Sequence, residues 1–169
     1  MPQISKALAV RKMPLQLSKV LPDIRPNTGL APLITMTFPA TEAHVRQVVC
    51  ETIEKLKTFE FTQDFRVTVE IVLAEILNNV AEHGYPCEID GDVQLSIMVL
   101  PNGIQVETRD KGVQMPGLRL PRPPEPDLDV GRENLPEGQF GLFMIHELCQ
   151  NLTYQRIENE NCLSLFIAR

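Results

Sequence analysis

Long apolar runs, a basic surplus and paired cysteines are all missing from this chain, and each absence removes a class of function. No stretch approaches the roughly 20 consecutive apolar residues of a membrane-spanning helix, so no membrane segment is expected. The net charge is -6. Nucleic-acid phosphates demand a cationic surface, so direct nucleic-acid binding is not expected either. Four cysteines, Cys50, Cys87, Cys149 and Cys162, show neither the close pairing of a zinc site nor the density of a secreted disulfide scaffold. They read as separate reduced thiols in a cytoplasmic protein. His44, His83 and His146 are scattered without HExxH spacing, and neither a GxSxG elbow nor a GxxxxGK[ST] loop occurs. Zinc-hydrolase, serine-hydrolase and Walker-type chemistries are thereby set aside.

What is present is a chain of 169 residues, 43% apolar and 22% charged, enough for one hydrophobic core. Residues 1–30 hold Lys6, Arg11, Lys12, Lys19 and Arg25 against the single acid Asp23, making that segment +4 and leaving -10 for the rest of the -6 total. Prolines at 2, 14, 22, 26 and 32 oppose one long helix, so residues 1–32 read as a partly ordered basic arm, either a solvated tail or a partner-docking segment. Its longest apolar run, Ala7 to Val10, is shorter than the roughly 7 to 15 residues of a signal-peptide core.

Alternation from Leu33 to Phe38 predicts a strand, and Thr41 is the N-cap of an amphipathic helix carrying Val45, Val48, Val49, Ile53 and Leu56. A second helix runs from Thr62 or Gln63 to about His83 on the stripe Val69, Val72, Leu73, Ile76 and Val80. Gly84 ends it, as a left-handed cap, with Pro86 just beyond. Residues 93–100 and 104–109 alternate on either side of Pro101-Asn102-Gly103, a hairpin signal. Periodicity is lost over 110–138, which holds six prolines, and so long a loop in a compact domain points to a functional lid. Helical spacing resumes from Gly138 to Gln150, and strands at 152–157 and 162–168 flank a turn at Glu158 to Asn161. This order predicts one α/β two-layer sandwich over residues 33–169, with helices on one face of a mostly antiparallel, mixed sheet.

Three short segments carry the chemistry. In the second helix Glu75 and Asn79 point within about 40° of each other, on a helix whose Ile71, Ala74, Leu77 and Ala81 make it apolar nearly all round. A carboxylate and an amide buried there call for a partner such as a metal with a phosphate; the alternative is a solvent-facing stripe shared with Asn78 and Glu82. Asp110 follows the hairpin's second strand, with Gly112 two residues on, which suits a residue presented to a ligand and equally an ordinary turn. Gly138 and Gly141 open the last helix, where backbone N–H groups and the helix dipole favour phosphate, or where a plain loop-to-helix junction lies.

Together EILNNVAEHGYP (75–86), RDKGVQMP (109–116) and LPEGQFGLFMIHEL (135–148) resemble the three ATP-binding boxes of the GHKL, or histidine-kinase-like, ATPases. They resemble most the bacterial anti-sigma regulatory factors that act as serine-protein kinases. The resemblance implies the Bergerat-type ATP-binding fold, with the lid at about 111–138. It makes Asn79 the magnesium ligand and Glu75 the general base toward a hydroxyl. Asp110 would accept a hydrogen bond from the adenine amino group, and Gly112 would let the base pack close. Gly138 and Gly141 would hold the phosphates, and His83, Met115, Phe140 and Leu142 would complete the nucleotide site. ATP and Mg2+ are the implied cofactors; a sigma factor, an antagonist protein phosphorylated on serine or threonine, and a second copy of the chain are the implied partners. Two departures stand out, because Gln114 and Gln139 occupy places that are usually glycine. They favour a second reading, a non-catalytic nucleotide-binding or nucleotide-free interaction module of the same fold. The branch often places a threonine near the adenine on a late strand; the stretch here offers Cys162 or Ser164, and neither is assigned that role. The first 32 residues leave no room for a phosphoacceptor helical hairpin, which disfavours an autophosphorylating sensor kinase.

Overall fold

The computed structural model describes residues 34–85, 91–122 and 139–169. The basic arm expected at 1–32, Cys87 and, of the lid expected at about 111–138, residues 123–138 lie outside them. Strand β1 spans Ile34–Pro39, followed by helices α1 (Glu42–Leu56) and α2 (Gln63–Asn79), the hairpin β2 (Asp92–Leu100) and β3 (Gly103–Asp110), helix α3 (Gln139–Leu148), and the hairpin β4 (Gln150–Ile157) and β5 (Glu160–Ala168).

Local chemistry sets the helix starts. Thr41 has extended backbone and its hydroxyl accepts the His44 N–H, and Thr62 does the same for Phe65 at 3.1 Å. Each cap satisfies an N–H that the helix itself leaves unpaired, a contribution of about 1 kcal/mol. The strands lie in the order β1-β2-β3-β5-β4 and every pairing is antiparallel. The sheet is thus antiparallel throughout, with no mixed component among the described residues.

Period-two alternation turns Ile34, Met36 and Phe38 of β1, Val93, Leu95 and Ile97 of β2, Ile104 and Val106 of β3, and Leu163, Leu165 and Ile167 of β5 toward the helices. Val45, Val48 and Leu56 of α1, Val69, Val72, Leu73, Ile76 and Leu77 of α2, and Ile145 of α3 close that core. Burial raises the thiol of Cys149 to about 12, and pushes that of Cys162 upward as well. A raised thiol holds less thiolate, the reactive form, at neutral pH.

Three local expectations change. Regular α-helix ends at Asn79, and Val80–Gly84 continue as one wide π-turn. Gly84 carries no left-handed φ, which among the described glycines belongs to Gly103 and Gly117. Nor is α2 buried all round: Val67 is 45% exposed and Glu70 is exposed. Its outer face forms with α1 a groove of about 700 Å³ lined by Val49, Ile53, Val67, Asn78 and Glu82. No helix among the described residues is long and apolar enough to cross a membrane.

Candidate functional site

The groove separates two polar sets that the sequence leaves together. Asn78 and Glu82 face α1, whereas Glu75 faces α3: a Cβ added to Gly141 would lie 2.0 Å from Glu75 Oε2 and 2.8 Å from its Cδ. The half-buried pair Glu75 and Asn79 is therefore not one solvent-facing stripe with Asn78 and Glu82. A four-residue step on α2 keeps the two on one side, and only a glycine at 141 lets α3 approach the carboxylate so closely.

Asp110 ends β3 at the other corner. It is buried, at 7% exposure. Its Oδ1 accepts the Gly112 N–H at 2.8 Å and the Asn161 Nδ2–H at 2.7 Å. Burial pushes its carboxyl above the ordinary value, while the hydrogen bonds from Asn161 and Gly112 and the charge of Arg156 pull it back. Gly112 is required by close approach, since a Cβ there would meet the Gly84 carbonyl oxygen at 2.4 Å and Asp110 Oδ1 at 2.9 Å. The Gly84 carbonyl also accepts the Val113 N–H at 2.7 Å. The Gly84 backbone is thus the wall against which Gly112 packs, while a Cβ at Gly84 itself would meet only Val80 at 3.4 Å and Asp110 Oδ1 at 3.7 Å, ordinary contacts.

Tyr85 fastens the same two segments. Its hydroxyl accepts the Lys111 N–H at 2.9 Å and donates to the Asp92 carbonyl at 3.1 Å. On the far side Tyr154 accepts the Met115 N–H at 2.9 Å, and Arg156 donates to the Gly112 carbonyl at 3.0 Å. The strap from Gly112 to Met115 is thus held from both flanks. Gln114 within it is exposed, so it does not plug a buried pocket at Asp110.

Of the sequence-predicted residues, Asp110 and Gly112 are joined directly, with Met115 tied in through Tyr154. Glu75 and Gly141 form the second corner, with half-buried Asn79 four residues along α2 from Glu75. Leu142 packs against the core, Phe140 is 47% exposed, and His83 is exposed in the π-turn. Gly138 and the Gln139 side chain lie outside the described residues.

The late-strand position beside Asp110 belongs to Asn161, which is its register partner across β3 and β5. Cys162 and Ser164 point to the opposite face, where Ser164 accepts a hydrogen bond from Gln105 at 2.8 Å. Asn161, Tyr154 and Arg156 have no sequence motif. The signal that finds them is register: the turn is only Glu158 and Asn159, both with positive φ, so Asn161 is a strand residue facing inward.

A buried carboxylate with one oxygen filled by donors, beside a glycine strap, fits a flat polar ring with an amino group. A half-buried carboxylate and amide on one helix side, capped by a glycine, fit the phosphate and metal end. The donor set suits a hard cation that keeps other ligands of its own; among the described residues no cluster of three or more His, Cys, Asp or Glu could hold a metal by itself.

The sequence model of the histidine kinase-like ATPase domain matches residues 38–167, which span both corners and all the described elements except the start of β1 and the last residues of the chain. The chain belongs to this family. Domains of the family bind ATP, generally with Mg2+, and support ATPase or kinase-type activity. No curated protein shows a significant match to the chain.

Proposed function

We propose that this protein is an ATP-dependent regulator of an anti-sigma partner-switching system, which transfers the γ-phosphoryl group of ATP to a serine or threonine of an antagonist protein. The observation that supports it best is Glu75 on the α3 side of α2, with Gly141 admitting α3 against the carboxylate and Asn79 one helical step further along α2. Docking alone would need neither Glu75 nor Asn79.

Asp110 would hold the adenine amino group and Gly112 the face of the base. Asn79 would hold magnesium, which when bound spreads the charge on the phosphates. Glu75 would accept the proton of the attacking hydroxyl, a weak nucleophile until a placed carboxylate takes that proton. ATP would favour one partner over another by binding one lid position better, since a ligand biases a switch only through differential affinity. The sigma factor and the antagonist would be proteins of the same cytoplasm, and a homodimer would be the working assembly.

The non-catalytic reading rests on Gln114 and Gln139, of which Gln114 is an exposed residue of the strap. Calorimetric titration with ATP, with and without magnesium, comes first; magnesium-dependent binding is expected. Glu75→Ala is then expected to keep ATP binding and lose transfer to a copurified antagonist by about 100-fold or more. Unchanged transfer removes Glu75 from the mechanism, and absence of ATP binding at millimolar concentration favours the interaction module.

A further inference from the structure

An amide side chain has two unlike ends, an oxygen that accepts and a nitrogen that donates twice. At Asn161 every capacity is filled. Its Oδ1 accepts from the Tyr154 hydroxyl at 2.6 Å and from Arg156 Nη1 at 2.6 Å. Its Nδ2 donates to Asp110 Oδ1 at 2.7 Å and to the Val113 carbonyl at 3.1 Å. Turning the amide over would aim its oxygen at a carboxylate and a carbonyl, and its NH2 at a guanidinium. Each mismatch leaves a buried group unpaired, at about 1 to 3 kcal/mol. Tyr154 cannot adapt freely, because its oxygen already accepts the Met115 N–H.

The consequence falls on Asp110. With Gly112 N–H and Asn161 Nδ2–H on Oδ1, the carboxylate offers Oδ2 as an acceptor, and among the described residues both of its hydrogen-bond partners are donors. We propose that Arg156 and Tyr154 of β4, acting through Asn161, are positioning residues that keep Asp110 an acceptor only, and so reserve this corner for a purine with a 6-amino group over one with a 6-keto group. The proposal rests on the nucleotide reading above and adds the residues that hold its adenine acceptor in place.

The selectivity follows from unpaired groups. A 6-amino group donates to Asp110, whereas a 6-keto group sets an oxygen against a carboxylate in a buried place. Sites built to pair a polar group reject analogues that cannot pair it, by factors well above those of shape alone. In Asn161→Asp two facing carboxyls would share a proton, giving the corner a donor that a 6-keto group can accept.

The test is calorimetric titration of the full chain with ATP and with inosine triphosphate, each with magnesium at neutral pH. The wild type is expected to prefer ATP by about 100-fold. Combining Arg156→Met with Tyr154→Phe is expected to lower that ratio by about tenfold, and Asn161→Asp by more, while Arg156→Lys, which keeps a cationic donor, retains most of it. A merely structural role weakens both nucleotides alike and leaves the ratio unchanged, which overturns the proposal. So does a wild type that does not discriminate, a result available even if a variant fails to fold. A wild type that binds neither nucleotide brings down the nucleotide reading and this inference together; ATP binding with an invariant ratio brings down this inference alone.

Discussion

The two corners of the site are built by different means. At Asp110 five pieces of chain, the segment after the π-turn, the start of β2, the end of β3, β4 and β5, are joined by hydrogen bonds between 2.6 and 3.1 Å through Asn161, Tyr85, Tyr154 and Gly112. At Glu75 the meeting of α2 and α3 rests on a close fit, a carboxylate against the bare backbone of Gly141. Hydrogen-bonded frames hold a recognition group in place before the ligand arrives, which favours affinity and selectivity. A contact that depends on one missing Cβ is sensitive to small displacements of α3, and the proposed chemistry sits there. The division teaches that recognition and reaction can be altered separately in this molecule.

The largest effect expected is on the frame itself. In Gly112→Ala the new Cβ would meet the Gly84 carbonyl oxygen at 2.4 Å and its carbon at 2.8 Å. Backbone cannot rotate aside as a side chain can. Loss of about 3 kcal/mol is expected, read as a lower denaturant midpoint at constant slope, with ATP affinity falling too. Near-wild-type stability would break the comparison, because it would mean that the Asp110 corner is not rigid.

Asp110 itself sharpens it. Burial raises its carboxyl above the ordinary 3.8, so in the window just above that value the folded state binds the proton that the unfolded chain has lost. The contribution of this group to stability therefore falls as pH rises through the window. ATP binding should run the other way, weakening on acidification, because the amino group needs an ionised acceptor. Asp110→Asn is expected to weaken ATP by about tenfold or more and to remove both pH dependences. Equal affinity in wild type and variant would withdraw the adenine assignment.

The corner that sequence reading finds most easily is only partly the one that the fold builds. The Thr41 cap and the helix start near Thr62 are legible because helix initiation is a local event, and the turn of Asp110 with Gly112 because it lies within three residues. Gly112 is legible as a turn residue, yet what requires a glycine there is backbone distant in sequence, the Gly84 carbonyl, and no local pattern contains that contact. Asn161 is hidden for a related reason. Spacing alone puts it in the turn, whereas the two-residue turn at Glu158 and Asn159 carries it into β5 opposite Asp110. The burial of α2 is overread because an apolar composition does not say which face another helix leaves open, and Val67 and Glu70 border such an opening.

The Glu75 corner should respond differently to the same kind of substitution. In Gly141→Ala the Cβ would come within 2.0 Å of Glu75 Oε2, the far end of a flexible side chain that can turn away. Stability is expected to change by about 1 kcal/mol or less, while phosphoryl transfer falls by about tenfold because the displaced carboxylate no longer meets the hydroxyl. ATP affinity should stay near that of the wild type. A loss of stability as large as that of Gly112→Ala would erase the distinction between the two corners.

The smallest effect belongs to a residue in neither corner and separates stability from function. Thr52 on α1 is fully buried, and its hydroxyl has no hydrogen-bond partner among the described residues. An unpaired buried hydroxyl carries a desolvation penalty that a methyl group does not, so Thr52→Val is expected to raise stability by about 1 kcal/mol. Because α1 meets α2 on the side away from Gly141, with Val45, Val49 and Ile53 along the groove, ATP titration and transfer should not move. A more stable protein with unchanged ATP affinity would show that the losses expected at Asp110 and Gly141 are local to the site. A change in affinity of the same size as the change in stability would instead tie the nucleotide corner to the whole fold.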